Sequence, residues 1–521
     1  MADDPILVVG AGIAGLVAAI DLARTGREVV VLERADAPGG KLRPFRVADR
    51  WLDGGPTVLT LRRVFDGLFA DASACFEERV GLRPAEILAR HAWPDDTRFD
   101  LHADPERSAE EIGRVFGATD AAAFLAFTRE TRALFDTLDA SFLQVPSPSV
   151  FGLIRTHFPS RLGALLAIRP FVSLATDLAR RFRDPRLRQL FGRYATYVGS
   201  SPFDAPATLA LIAHVEQAGV WLVEGGLAAL ADALVRLAVE RGVRLRVGAE
   251  VVRIAGSGRG IEGVVLADGE RVEGRRVLFA GDATALAEGL LDEGIGRAAR
   301  IPRTRERSLS AMTWTIFATT RGFPLVRHNV FFSGDARAEF DALVQRRVLP
   351  ADPTVYVCAQ DRDARSGATY AGPERLLCLV NAPATGDRDA WQGEEVERCE
   401  ARVFEGLAKR GLRIERDPAN GLRTTPADWH RRYPGTGGAL YGQATHGWRS
   451  SFSRPGPRTK LPGLYLAGGS VHPGAGVPMA AMSGRQAARA ILEDSASTSR
   501  SRSTATAGGT STPSIRERAT P

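Results

Sequence analysis

Cysteine, lysine and long apolar runs are all scarce in this chain, and each shortage closes a route to structure or function. Four cysteines, Cys75, Cys358, Cys378 and Cys399, lie far apart in 521 residues. None forms a CxxC pair or stands at zinc-finger distance from histidine, so the spacing argues for reduced thiols and against a disulfide framework or a metal site. Lysine occurs only at positions 41, 409 and 460, leaving nearly all positive charge on arginine; a GC-rich coding sequence accounts for that bias across the chain. A secretory signal is not visible, because Asp3 and Asp4 precede the first apolar run where such a signal carries positive charge. A cytoplasmic location is therefore expected. The longest stretch free of Asp, Glu, Lys and Arg, 461–484, could span a bilayer by length. Its six glycines and three prolines do not permit one continuous helix in lipid, and a strand, a Gly-rich turn and a helix is the expected reading.

What is present fits a globular protein of two or more domains: 44% hydrophobic residues, 25% charged and a net charge of +7. The positive charge is clustered. Residues 151–193 hold nine arginines against two aspartates, interleaved with apolar residues and broken by Pro159 and Pro170. Two readings stand side by side: a solvated Arg-rich helical subdomain over a small core, and a surface that lies on a membrane interface. Nucleic acid is excluded as a partner because no recognition fold or aromatic–basic motif accompanies the charge.

The most informative stretch is 5–40, PILVVGAGIAGLVAAIDLARTGREVVVLERADAPGG. It reads strand, Gly-rich turn, helix and second strand, and an acid follows 23 residues after Gly10, at Glu33. This is the pattern of a dinucleotide site. Gly10 permits the tight turn, Gly12 the close approach of a pyrophosphate, and Gly15 the packing of helix on strand, with phosphates over the helix N-terminus. Glu33 is placed to accept from a ribose, each such bond being worth roughly 1.5–3 kcal/mol because the acceptor is charged. An acid there disfavours NADP. Gly39, Gly40 and Lys41 resemble the GG motif of two-dinucleotide-binding-domain flavoproteins, which bind FAD. The turn at 256–260 is not a second dinucleotide motif, because a strand follows it, and nothing else supports NAD.

Along the rest of the chain, helices are expected over 106–140 and around 394–410. Strands are expected at 243–247, 250–254, 263–266 and 276–282, and again at 312–319, 329–332, 355–359 and 375–381. The division expected is a FAD-binding part at 1–105, a helical Arg-rich substrate or membrane-facing region at 106–218, a second FAD-binding part at 219–300, a mixed-sheet substrate domain at 301–460, a third FAD-binding part at 461–494, and a disordered tail at 495–521, where almost no large apolar residue remains.

Four segments together, the 5–40 motif, DGGPT at 53–57, EGG at 224–226 and GGSVHPGAGVP at 468–478, make the chain resemble the bacterial phytoene desaturase family of carotenoid dehydrogenases from about residue 5 to 493. Residues 53–69 are most similar to the 1-hydroxycarotenoid 3,4-desaturases of purple photosynthetic bacteria. The resemblance implies an α/β two-dinucleotide-binding-domain flavoprotein with a discontinuous Rossmann-like FAD domain, a mixed α+β substrate domain and a helical, membrane-facing subdomain. It implies FAD as cofactor, no metal, a long-chain carotenoid as substrate, and peripheral association with the inner or photosynthetic membrane, since a C40 hydrocarbon is insoluble in water. By the resemblance Gly10, Gly12, Gly15, Glu33, Gly40 and Lys41 hold the ADP half of FAD and Val251 meets adenine. Gly55, Pro56 and Thr57 form a loop close to the ligand, while Gly468, Gly469, Val477, Pro478 and Met479 lie beside the ribityl chain and isoalloxazine. His472 is the expected catalytic polar group near the reacting end, with Glu224 behind it. The chain shows AGD at 280–282 where the family usually has Asn-Ala-Asp.

The chemistry expected is loss of a hydride and a proton next to a polyene, with quinone or oxygen as final acceptor. No motif specifies an oligomer. Three rivals remain: a carotenoid cis–trans isomerase using the same flavin, a flavin amine oxidase sharing the N-terminal half, and a flavin-free prenyl-chain binder of the GDP-dissociation-inhibitor kind.

Overall fold

A computed structural model describes residues 4–157, 169, 171–302, 304, 306–362, 370, 372–389 and 391–506, with backbone alone for 498–506. Two sheets organise it. The first is wholly parallel, with strands in the order Leu464–Leu466, Arg276–Phe279, β1 (Ile6–Val9), β2 (Val29–Leu32) and Arg244–Arg246. Its strands come from three distant stretches of sequence. They are apolar at nearly every position because both faces are covered. Val8, Val29 and Val31 pack toward the helix α1 (Ile13–Ala23). Leu7, Val30 and Leu32 pack on the opposite side with Ile254, Val264 and Phe279.

α1 is buried from Ile13 to Leu22 and is rich in small residues, because the helices Ala228–Glu240 and Val477–Thr506 both press on it. A Cβ on Gly484 would stand 2.3 Å from the Ala14 carbonyl oxygen. The uncharged stretch 461–484 thus contains the strand Leu464–Leu466, a turn and the start of the last helix, and it is apolar because it lies in the core. No helix among the described residues is long and apolar enough to cross a membrane.

The second sheet is mixed. Its order is Leu412–Glu415, Ser310–Gly322, Pro373–Ala382, Val355–Ala359, His328–Phe331, Ile87–Ala92 and Arg98–His102, with Gly421–Thr424 also pairing Ser310–Gly322. The boundary expected at 105 does not follow this sheet. The hairpin around Trp93 joins it through a parallel pairing of Ile87–Ala92 with His328–Phe331, across about 240 residues that carry no local signal. Helices Pro105–Phe116, Ala118–Leu138, Leu174–Arg181, Pro185–Gly192 and Leu211–Gln217 form a layer over it, held by a cluster of Phe124, Phe127, Phe182 and Phe191 with ring centroids 5.0–5.9 Å apart.

Two expectations need correction. The Arg-rich stretch does not carry nine free charges, since its own Asp177 and Asp184, and Asp95 from outside it, pair three of its arginines. Asp177 holds both Arg169 and Arg181 at 2.6 Å, and Arg186 is shared between Asp184 at 2.7 Å and Asp95 at 2.9 Å. Residues 158–168 lie outside the described residues. The tail does not leave the fold at 495 either. The last helix continues to Thr506, with Ser495 buried and its hydroxyl donating to the Ile491 carbonyl at 2.7 Å, while Arg458 and Tyr465 hold Asp494. Alanine and serine continue a helix already anchored by packing. Residues 507–521 are outside the described residues.

Candidate active site

A single cavity of about 1140 Å³ runs from the end of β1, past the loop at 54–57, into a chamber between the mixed sheet and the helical layer. That exceeds the roughly 300–1,000 Å³ of a pocket for one small ligand, and its length suits a dinucleotide followed by an elongated chain.

At its first end, Gly10 has φ of +105°, a conformation that strains any side chain, and its N–H donates to the Leu32 carbonyl. A Cβ on Gly15 would lie 2.0 Å from the Gly10 carbonyl oxygen, so helix and turn approach only with glycine there. The N-terminus of α1 at Gly12 has no side-chain cap, and space opens beside Gly12 toward the Gly40 backbone at 3.9 Å. Its free N–H groups therefore face the cavity for an anion. Glu33 is buried; its carboxylate accepts from the Ala11 N–H at 2.8 Å and the Ala35 N–H at 3.0 Å. One bond per oxygen leaves lone pairs for a ribose.

Lys41 and Arg454 bring positive charge into the same region. Lys41 Nζ donates to the Leu440 carbonyl at 2.5 Å, and burial pulls its pKa down against the attraction of Asp282. Arg454 donates to the carbonyls of Gly469 at 2.8 Å and Tyr441 at 3.0 Å; burial lowers it to about 10, again with Asp282 opposing. Two partly buried cations, an uncapped helix terminus and a carboxylate with spare lone pairs fit the phosphates and ribose of FAD.

Of the residues expected at the cofactor, all except Gly15 lie on the cavity wall, Gly15 acting from behind Gly10. Gly55 is pressed against the Lys41 carbonyl, Thr57 Oγ1 lies 2.7 Å from the Tyr356 hydroxyl, and Val477, Pro478 and Met479 form the first turn of the last helix. The two polar residues expected at the reacting end are elsewhere. His472 is not on the wall: it is 2% exposed, its Nε2–H donates to the Phe142 carbonyl at 2.9 Å, and burial lowers its pKa to about 4. It pins the 468–478 turn to the segment Asp139–Leu143. Glu224 is half exposed and paired with Arg83 at 2.7 Å. Both sit in motifs beside the site, and a motif's position does not fix the direction of its side chains.

Sequence reasoning missed Arg454 and a polar group formed by Arg193, Tyr197, Glu216 and Tyr356, all on the cavity wall. Tyr197 donates to Glu216 at 2.7 Å, and Tyr194 donates to the same carboxylate. Tyrosines one and four residues after Arg193, within a run of buried aromatics, were the available signal that this arginine faces inward.

The sequence pattern of the family described as flavin containing amine oxidoreductase matches residues 13–492, so that likeness is not confined to the N-terminal half. The chain is 50% identical over 509 residues to hydroxyneurosporene desaturase of Rubrivivax gelatinosus, covering 97% of each chain. It is 44% identical to hydroxyneurosporene desaturase of Cereibacter sphaeroides, covering 95% of this chain and 99% of the other. Wild-type putrescine oxidase bound to putrescine superimposes with a TM-score of 0.60 at 16% identity, over 95% of this chain and 99% of that one. At that identity the likeness is one of fold. With the dinucleotide cradle and these matches together, the chain belongs to the flavin containing amine oxidoreductase family, as an FAD-dependent oxidoreductase related to the hydroxyneurosporene desaturases.

Proposed function

We propose that the protein is a carotenoid desaturase that introduces a double bond at C3–C4 of a 1-hydroxy or 1-methoxy acyclic carotenoid. The observation that carries this reading is the continuity of the cavity: the dinucleotide cradle opens directly into a chamber walled by side chains such as Phe203, Leu209, Ile212, Phe332 and Leu377. An apolar chamber orients a polyene and excludes water from it. FAD, when bound, supplies the hydride acceptor. Loss of hydride beside the polyene leaves charge spread along the conjugated chain, so the adjacent proton is acidic and the wall needs no strong base. Among the described residues, no histidine lines the cavity.

The test is pigment analysis in a host that makes 1-hydroxyneurosporene. A new 3,4 double bond is expected. Unchanged pigment together with conversion of phytoene would move the protein to the general desaturases. Isomerisation of a poly-cis carotene under reducing conditions, without new double bonds, would favour the isomerase.

The same reading includes uptake from a membrane surface. Phe151 is 75% exposed and Phe171 79% exposed, with Val150 and Ile154 also open to solvent. Leu153, on the other side of the helix Val150–His157, is buried on the cavity wall, and Trp448 of the wall meets Phe171 edge to face at 5.6 Å. This exposed apolar patch therefore adjoins the chamber, and patches of that kind mark interaction sites. Arg169, Arg181 and Arg186 of the neighbouring stretch are paired with acids, and binding is expected to be led by apolar insertion. Replacing Phe151 and Phe171 together by Asp is expected to weaken vesicle flotation at least tenfold, since each inserted ring is worth about 1.5–3 kcal/mol. Flavin content should stay unchanged. Flotation equal to the parent protein would rule the patch out.

A further inference from the structure

Arg193 is a charged side chain on the wall of an apolar chamber, and the structure leaves most of it unspent. A guanidinium carries five N–H donors. Among the described residues, Arg193 makes one hydrogen bond, a long one of 3.5 Å to the Tyr197 hydroxyl. Its remaining contacts are the faces of two rings, Tyr197 at 5.3 Å and Tyr356 at 5.7 Å from the guanidinium carbon. Glu216 supplies the balancing charge through Tyr197 and Tyr194. Arg193 is partly buried, and donors withdrawn from water are costly unless a ligand takes them.

Three other polar groups on this wall are occupied. The Tyr356 hydroxyl is held at 2.7 Å by both Thr57 Oγ1 and His328 Nδ1. Glu339 accepts from Ser333 and Thr354, and Arg188 donates to the carbonyls of Phe182 and Arg183. Arg193 is also close to the place where chemistry must occur. The ring it covers, Tyr356, is bonded to Thr57 of the loop at 54–57, which packs on Lys41 of the cofactor cradle through Gly55.

We propose that Arg193, framed by Tyr197 and Tyr356, is the specificity-determining residue that binds the oxygen on C1 of the substrate. This rests on the reading of the substrate given above. A single carbon separates C1 from the C3–C4 bond, so a group that holds the C1 oxygen must stand beside the cofactor loop, as Arg193 does. A donor-only side chain suits both end groups, because a hydroxyl and a methoxy oxygen each accept a hydrogen bond. A carboxylate such as Glu216 could serve only the hydroxyl. Holding the oxygen also fixes how deep the chain slides, which places C3–C4, and no other bond of the chain, at the reacting position.

The experiment uses holoenzyme with a 1-hydroxylated acyclic carotenoid and the hydrocarbon of the same length, both in detergent micelles. Binding is read from the shift of the polyene absorption and the quenching of flavin fluorescence, alongside kcat and KM. The parent protein should bind the hydroxylated chain at least tenfold tighter, as expected for a charge-assisted hydrogen bond. Arg193→Met should bring that preference to within about twofold, with flavin content retained. Arg193→Gln, which keeps N–H donors without the charge, should keep part of it. Full preference in Arg193→Met, or in Arg193→Gln and Arg193→Met alike, with flavin retained, would overturn the assignment alone. Absence of any preference in the parent protein would overturn the substrate reading together with it.

Discussion

Gly15→Ala is expected to abolish the flavin absorption band of the purified protein and to lower its stability by about 3 kcal/mol or more. The added methyl would stand 2.0 Å from the Gly10 carbonyl oxygen and 3.2 Å from the Ala280 side chain. The obstacle is backbone on the turn itself, so no rotamer relieves it. Relief requires α1 to move away from β1, which costs packing along a helix buried from Ile13 to Leu22 and turns its N-terminus away from the phosphates. Absorbance at the flavin band and urea unfolding measure the two effects. A variant that keeps full flavin content and the parent unfolding midpoint would show that the cradle does not depend on this contact. Gly12→Ala provides a contrast, because its methyl would meet only the Gly40 backbone at 3.9 Å. Its folding should survive, and any loss should fall on the affinity for FAD.

Acid is expected to destabilise the fold strongly between pH 6.5 and 4. Three buried histidines stay neutral in the folded chain. Burial lowers His91 and His328 to about 3, with the Arg193 charge adding to both and that of Arg327 to His328, and it lowers His472 to about 4. Each returns to about 6.5 on unfolding. The unfolded chain therefore binds more protons below pH 6.5, and stability, complete above that value, falls as the pH drops toward the folded pKa values. Each histidine contributes up to about 1.4 kcal/mol per pH unit in that window. Burial pushes the carboxyls of Asp53 and Glu339 up, which works in the opposite direction and offsets part of the slope. Urea midpoints at pH 7, 6, 5 and 4.5 test this, and replacing His472 by Asn should shallow the slope. A midpoint unchanged from pH 7 to 4.5 would contradict it.

The histidine result also shows why the reacting end of the site was hard to read. HPGAGVP was recognisable as a cofactor-side motif, and residues 468, 469 and 477–479 do line the cavity. His472 belongs to the same seven residues but turns toward Phe142, because the segment Asp139–Leu143 packs there. That neighbour is some 330 residues away in sequence. Glu224 was misread for a similar reason, since its partner Arg83 lies on a strand, Leu82–Pro84, that pairs with Trp221–Val223 from the other side of the helical region.

What the sequence determined by itself was whatever depends on local geometry. The order of strand, turn and helix at 5–40, the glycines whose φ or close contacts admit no side chain, and the acid at Glu33 all follow from chain stereochemistry over a few residues. They were enough to specify a dinucleotide cradle and, with Gly39, Gly40 and the 468–478 segment, FAD. The alternation of strand-like runs likewise announced a second sheet, although not that residues 87–102 form its edge. Tertiary structure decided everything that depends on long-range pairing. It showed which arginines of 151–193 are paired with acids, that Arg188 and Arg193 reach the cavity wall, and how one cavity joins the cofactor cradle to the chamber. The reason is physical: a guanidinium's role depends on what stands within hydrogen-bond reach, and for Arg193 those groups are Tyr197, Glu216 and Tyr356, brought together by two helical segments and a strand of the mixed sheet.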